Sequence, residues 1–159
     1  MLPAIGVTGH QTLESRTSAE VERMISTKLR AYYPLLGLSA LAAGADQLFA
    51  RCVLKRGGRL VAILASDGYD NTFTTKSGRY EFRRLLSFAD EVVRLDFPEP
   101  SEQAFLAAGK EIVDRCDVMF AVWDGKPAGG LGGTADIVKY ARTMRKPIEI
   151  LWPSWGRRI

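Results

Sequence analysis

The residues best suited to chemistry follow an apolar run in the last third of the chain. Four glycines and a threonine lie there, in the segment GGLGGT: Gly129, Gly130, Gly132, Gly133 and Thr134. The apolar run before them, Val118–Val122, predicts a strand buried on both faces, and a helical pattern begins after Thr134. A glycine-rich turn between a strand and a helix N-terminus directs backbone N–H groups and a partial positive charge toward one point. We therefore expect this loop to bind a phosphate or another small anion.

Further glycines and polar residues follow other apolar runs. We predict ligand contacts from Gly6, Thr8, Gly9, His10, Gly44, Asp46, Tyr69, Asp124 and Gly125. Glycine lets a ligand approach the backbone closely, a threonine hydroxyl donates and accepts hydrogen bonds, and a carboxylate accepts them from a ribose. Structural roles remain open for three of these residues. Asp46 can complement a helix dipole, Asp124 can form a turn with Gly125, and Tyr69 can either stack on a base or hold a long loop in place.

The elements that position these residues alternate along the chain. The runs that predict strands are Ala4–Thr8, Leu38–Ala42, Leu60–Leu64, Glu91–Leu95, Val118–Val122 and Pro147–Leu151. Helical spacing is predicted between them, in segments that begin near Ser18, Gly44, Tyr80, Gln103 and Ala135. This alternation favours an α/β fold, a three-layer Rossmann-like arrangement with a mostly parallel, doubly wound sheet of about six strands. Ligands of such sheets bind beyond the carboxyl ends of the strands.

Composition limits the remaining classes. The 159 residues predict one domain, 1–159, with 47% apolar and 25% charged residues. No apolar run reaches the roughly 20 residues that span a bilayer, and the first residues lack a basic signal region, so we expect a cytoplasmic protein without a membrane partner. The net charge is +4, but the basic residues are spread along the chain, and nucleic acid is therefore predicted to be an unlikely partner. His10 is the only histidine, and neither a metal site nor a cofactor is predicted.

Four sequence blocks together resemble the SLOG superfamily of Rossmann-like nucleotide-binding domains. They are GVTGH at 6–10, LAAGADQLFA at 41–50, GGRLVAIL at 57–64 and GGLGGT at 129–134. This superfamily includes Lonely Guy-type phosphoribohydrolases, the DNA-processing protein A family, molybdenum cofactor carrier-like proteins and ligand-sensing domains of bacterial defence systems. The resemblance implies a nucleotide-binding domain that forms homodimers or higher assemblies.

The Lonely Guy-type branch implies two candidate catalytic residues. Its loop reads PGGxGTxxE, and the glutamate acts with an arginine from an upstream helix. In this sequence Asp136 is similar in position to that glutamate, and Lys110 lies near the arginine position. The acid is one methylene shorter here, and no arginine is present at that position.

Three functions follow as expectations. The first is binding of a nucleotide or nucleotide-derived small molecule by a sensor or carrier that signals through oligomer contacts or an effector protein. The second is a nucleoside 5′-monophosphate phosphoribohydrolase in which Asp136 stabilises positive charge on the ribose and Lys110 holds the phosphate. The third is single-stranded DNA binding, with bases stacked on Tyr69, Phe73 and Trp123.

Overall fold

The computed structural model describes residues 2–127 and 130–155, and within them six parallel strands form one sheet. The strands are β1 Ala4–Gly9, β2 Leu36–Ser39, β3 Arg59–Leu64, β4 Glu91–Arg94, β5 Val118–Val122 and β6 Ile148–Ile150. The helices are α1 Ser15–Leu29, α2 Ala45–Lys55, α3 Lys76–Ser87, α4 Glu102–Arg115 and α5 Thr134–Thr143, with a short 3₁₀ helix at Tyr69–Thr72. The strand order is β4-β3-β2-β1-β5-β6. The predicted doubly wound α/β architecture is confirmed.

The alternation of side chains along β1 shows how the helices are divided between the two faces. Ile5 and Val7 belong to the same buried cluster as α1 and α2. Gly6, which lies between them, faces the opposite side, where an added Cβ would come within 2.5 Å of Ile112 in α4. Because successive strand residues point to opposite faces, α1 and α2 cover one face of the sheet and α4 covers the other. α5 packs beside α4, and α3 packs beside α2.

Three element boundaries differ from the sequence prediction. The amide of Ser18 donates to the carbonyl of Glu14 at 2.8 Å, so α1 begins at Ser15 and Ser18 lies inside its first turn. β2 ends at Ser39 because Leu41 has a left-handed backbone, with φ of 59°, which takes the chain out of the sheet. α3 begins at Lys76, since the side chain of Thr75 caps it by accepting from the amide of Gly78 at 3.0 Å.

None of the helices within 2–127 and 130–155 has the length and apolar character required to span a bilayer.

Gly44 joins the loops that follow β1 and β2. Its φ is +80°, and an added Cβ would lie 2.5 Å from the carbonyl oxygens of both His10 and Gln11. The amide of the next residue, Ala45, donates to the His10 carbonyl at 3.1 Å. Only glycine fits this position, because any side chain would both clash with backbone and occupy a disfavoured conformation.

We expect Gly44→Ala to lower stability by at least about 3 kcal/mol, because it adds a backbone clash to the cost of positive φ. Gly57→Ala is the matched control, since Gly57 has a φ of +72° but its Cβ would meet nothing within 4 Å. We expect this control substitution to lower the free energy of unfolding by about 1 kcal/mol. Chemical denaturation of both variants measures the difference, and equal losses would contradict the assigned role of the close approach.

Candidate functional site

A cavity of about 340 Å³ lies at the carboxyl ends of β1, β2 and β3. The α4–α5 layer and the segment after β3 form its other walls. Its lining residues are Val7, Thr8, Gly9, His10, Gln11, Ala40, Ala42, Ala43, Asp46, Ala65, Tyr69, Thr72, Phe73, Thr74, Thr75, Phe105, Ala108, Gly109, Ile112, Gly132, Gly133, Thr134 and Ile137. The cavity is therefore where ligands bind in sheets of this topology.

Asp46 is the one carboxylate among the described lining residues, and α2 places it there in its first turn. Its side chain is buried, and Oδ2 accepts a hydrogen bond from the amide of Ala42 at 3.3 Å. Burial raises the pKa of Asp46 to about 7, an effect that the Ala42 hydrogen bond partly opposes. The residue therefore changes charge near neutral pH in the wall of the cavity.

An aromatic cluster supports the wall on the side of the 3₁₀ helix. The ring of Tyr69 contacts those of Phe82, Phe73 and Phe105 at centroid distances of 5.4, 5.8 and 6.2 Å, all in edge-to-face geometry. Burial, and secondarily the charge of Asp46, raises the pKa of the Tyr69 phenol, so this hydroxyl stays protonated at neutral pH. The hydroxyl has no hydrogen-bond partner among the described residues and is available to a ligand.

Two backbone amides of the glycine-rich loop already donate hydrogen bonds within the protein. The amide of Gly132 donates to Oδ2 of Asp136 at 3.0 Å, and the amide of Gly133 donates to the carbonyl of Gly130 at 3.2 Å. In contrast, the amides of Thr134 and Ala135 have no acceptor among the described residues, as is usual for the first turn of a helix. The donors that face outward are therefore at the start of α5. Gly129 lies outside the described residues.

Thr134 contributes a buried hydroxyl at the same point. The residue is 9% exposed and lines the cavity, and its hydroxyl has no hydrogen-bond partner among the described residues. Thr8, at the end of β1, also lines the cavity. The α5 N-terminus therefore combines two free amides with a threonine side chain.

His10 and Asp124 meet at the edge of the site. Nε2 of His10 lies 3.2 Å from the amide nitrogen of Asp124 and 3.3 Å from its Oδ1. The same Oδ1 accepts from the amide of Lys126 at 3.0 Å, which makes Asp124 part of the turn through Gly125. The His10 ring packs edge to face on Trp152 at 5.3 Å. His10 lines the cavity, whereas Asp124 and Gly125 lie behind it.

Comparisons with known proteins identify the fold. No family model matches the sequence, and no curated protein matches it either. DNA processing protein A from Streptococcus pneumoniae is structurally similar, with a TM-score of 0.69 at 19% identity over 92% of this chain and 49% of that one. DNA processing protein A from Helicobacter pylori has a TM-score of 0.66 at 14% identity, over 92% of this chain and 63% of that one. The molybdenum cofactor carrier protein from Chlamydomonas reinhardtii has a TM-score of 0.58 at 15% identity, over 93% of this chain and 75% of that one.

The protein has the Rossmann-like α/β fold of these three structures. This chain spans about half the length of the pneumococcal protein, of which 49% is covered.

The fold does not bring every predicted site residue to the cavity. Those that line it are Thr8, Gly9, His10, Asp46, Tyr69, Gly132, Gly133 and Thr134. Gly6 lies beneath α4, because an added Cβ would meet Ile112 at 2.5 Å, and Gly44 serves the loop contact described above. Gly130 packs against Glu102, whose Oε1 would be 2.9 Å from a Cβ at that position.

Asp136 and Lys110 are not among the residues that line the cavity. Asp136 accepts the Gly132 amide and so stabilises the loop before α5. The ammonium of Lys110 lies 5.1 Å from the centre of the Tyr140 ring. Within residues 2–127 and 130–155 these two side chains form no ion pair and do not line the cavity. The acid and the cation are therefore engaged with different partners. The same described residues contain no cluster of three or more metal-binding side chains.

Several lining residues were not predicted from the sequence. Thr72, Thr74 and Thr75 belong to the long segment after β3, and no motif in the sequence singles out these threonines. Phe105 and Ile112 come from α4. Their helical spacing indicated only a buried face, and nothing in the sequence shows that this face extends past the sheet to the cavity.

The raised pKa of Asp46 predicts a pH-dependent stability. Because the folded-state pKa of about 7 exceeds the ordinary value of 3.8, the stability associated with the protonated acid is present below pH 4 and is lost as pH rises through 7. Asp46→Asn carries no charge at any pH, so it should be more stable than the wild type at pH 8, by about 4 kcal/mol at most. Near pH 4 the two proteins should melt alike.

Thermal melts at pH 4 and pH 8 measure this effect. Asp96→Asn, at an exposed position outside the cavity, removes the same charge and is expected to show no such pH-dependent gain. A constant difference between wild type and Asp46→Asn across this pH range would contradict the prediction.

Proposed function

We propose that this chain binds a nucleotide or nucleotide-derived small molecule in the cavity, as a sensor or carrier. The observation that carries the proposal is a set of three polar side chains that line one cavity: Asp46, Tyr69 and Thr134. The Asp46 carboxylate accepts a single hydrogen bond among the described residues, and the two hydroxyls have no partner there. A few convergent polar groups around a space of this size favour a polar ligand.

The start of α5 is the part of the site that suits a phosphate. The amides of Thr134 and Ala135, which have no acceptor within residues 2–127 and 130–155, and the Thr134 hydroxyl provide donors. The helix adds a partial positive charge. This arrangement retains the phosphate subsite expected from the glycine-rich loop but moves its donors from the glycines to the first helical turn. The occupied amides of Gly132 and Gly133 hold the loop in the shape that exposes that turn.

The apolar part of the lining suits a flat group. Phe73, Phe105, Ile112 and Ile137 line the cavity, and a base can pack against such side chains. The volume of about 340 Å³ lies near the lower end of the roughly 300–1,000 Å³ typical of small-molecule sites. Both features support a ligand of mononucleotide size.

Binding without hydrolysis is proposed because Asp136 is held by the Gly132 amide and Lys110 packs on Tyr140. The structural neighbours include a molybdenum cofactor carrier protein and a DNA processing protein with a single-stranded DNA binding mode. The expectation that nucleic acid is an unlikely partner is therefore not supported, and oligonucleotides belong in the binding test. The homo-oligomer and the effector partner stay predictions.

Substitution of Thr134 tests the phosphate subsite. Thr134→Val preserves shape and removes the hydroxyl, so we expect about a ten-fold loss of affinity for nucleoside monophosphates, since a hydrogen bond to a charged group contributes roughly 1.5–3 kcal/mol. Affinity for the corresponding nucleosides should not change. Thr143→Val, at the exposed far end of the same helix, is the control and should leave both affinities unchanged.

Calorimetric titration with nucleosides, nucleoside monophosphates and single-stranded oligonucleotides measures these affinities, and chromatography of the mixtures tests for free base. Saturable binding of a mononucleotide without base release is the expected result. If affinity instead grows with oligonucleotide length and falls steeply with salt, the chain is a DNA-binding domain. Failure of every mononucleotide to bind would reject the proposal.

A further inference from the structure

The cavity has an unusual charge for a site proposed to hold a nucleotide. Among its described lining residues, Asp46 is the one acid, and there is no lysine or arginine. The other titratable side chains that face it are Tyr69, from the 3₁₀ helix, and His10, from the end of β1. Apart from the partial charge at the start of α5, no positive group in this lining offsets a multiply charged ligand.

Three cations close in sequence to the cavity walls have partners outside the cavity. Nε of Arg79 donates to the backbone carbonyl of Asp70 at 3.2 Å, and Arg83 pairs with the Asp70 carboxylate at 3.0 Å. Lys110 lies over the Tyr140 ring. None of these three cations lines the cavity, so no lysine or arginine lies beside Asp46 in its described lining.

Asp46 has hydrogen-bonding capacity that the protein does not use. A carboxylate has about four lone-pair sites, and its one hydrogen bond among the described residues is the 3.3 Å contact from the Ala42 amide. The side chain is 8% exposed, so water reaches it only through the cavity. Two adjacent N–H or O–H donors on a ligand would satisfy this carboxylate, whereas a second or third phosphate would meet uncompensated negative charge.

We infer that Asp46 determines ligand specificity: the site selects compounds that present a pair of adjacent hydrogen-bond donors to this carboxylate, and it rejects polyphosphates. The inference rests on the proposed function, because it describes how the same cavity chooses among nucleotide-like ligands. The donor pair has two chemical sources, a ribose cis-diol or the N–H and amino edge of a base such as guanine. In either case the ligand carries at most one phosphate, held at the start of α5.

Calorimetry with a matched nucleotide series tests the inference. The probes are AMP, 2′-deoxy-AMP, GMP, 2′-deoxy-GMP, ATP and GTP at one ionic strength. We expect each triphosphate to bind at least ten-fold more weakly than its monophosphate. A ribose donor pair predicts that both 2′-deoxy compounds lose affinity, whereas a base donor pair predicts that GMP and 2′-deoxy-GMP bind alike and more tightly than AMP.

Asp46→Asn removes the carboxylate but preserves the shape of the site, so it tests the two contributions separately. This substitution should lower the affinity for the preferred monophosphate at least ten-fold. It should also reduce the difference in affinity between the monophosphate and the triphosphate. Asp96→Asn, which removes an exposed acid outside the cavity, should reproduce the wild-type ranking. A thermal melt confirms that each variant is folded.

The outcomes distinguish this inference from the proposed function. If wild-type protein binds triphosphates as tightly as monophosphates, or if Asp46→Asn retains the wild-type ranking, the inference is wrong while nucleotide binding stands. If no member of the series binds, both the proposed function and the inference are rejected.

Discussion

At Gly44 the loop after β2 approaches the loop after β1 so closely that a single Cβ would lie 2.5 Å from two carbonyl oxygens. The position of the cavity depends on this approach. It starts α2 directly above the end of β1, with the Ala45 amide bonded to the His10 carbonyl, and so places Asp46 in the cavity wall. The left-handed conformation of Leu41 makes this geometry possible, because it takes the chain out of the sheet two residues after β2. Such strained backbone is retained where the surrounding structure requires it.

The electrostatics of the site follow from the same placement. Asp46 is buried where a carboxylate is costly, and no basic side chain of the described lining compensates it. Arg79 and Arg83 of α3 instead form hydrogen bonds with Asp70 and so connect the 3₁₀ helix to α3. The buried Asp46 carboxylate therefore lowers the stability of the fold. A ligand can supply the hydrogen-bond donors that this carboxylate lacks. A ligand that does so would both bind and stabilise the fold.

The glycine-rich loop has a structural role as well as a proposed binding role. Gly132 has a φ of +84°, and an added Cβ would lie 2.8 Å from the Leu106 amide nitrogen, so the loop packs directly on α4. Asp136 reaches back from α5 to the Gly132 amide. These contacts hold the loop against α4, next to the helix N-terminus at Thr134 that lines the cavity.

The sequence by itself determined the α/β class, the order of the elements and the edge of the sheet at which a site would lie. Strongly apolar strands such as Val118–Val122 were predicted with the bounds that the structure has, because burial on both faces leaves an uninterrupted apolar run. The boundaries at Ser18, Leu41 and Thr75 were missed or displaced, since each depends on a single backbone conformation or cap that periodicity does not report.

Only the tertiary structure decided which residues share the cavity. Gly6 and Thr8 are two residues apart in one strand, yet the first lies beneath α4 and the second lines the site, because helix packing covers the strand but not its end. Likewise, the Gly132 amide is already occupied, because the side chain of Asp136 accepts its hydrogen bond. Sequence records the types of the groups that can bind. Distance and burial decide which of those groups are already satisfied by the protein, and these two quantities are set by packing between elements far apart in the chain.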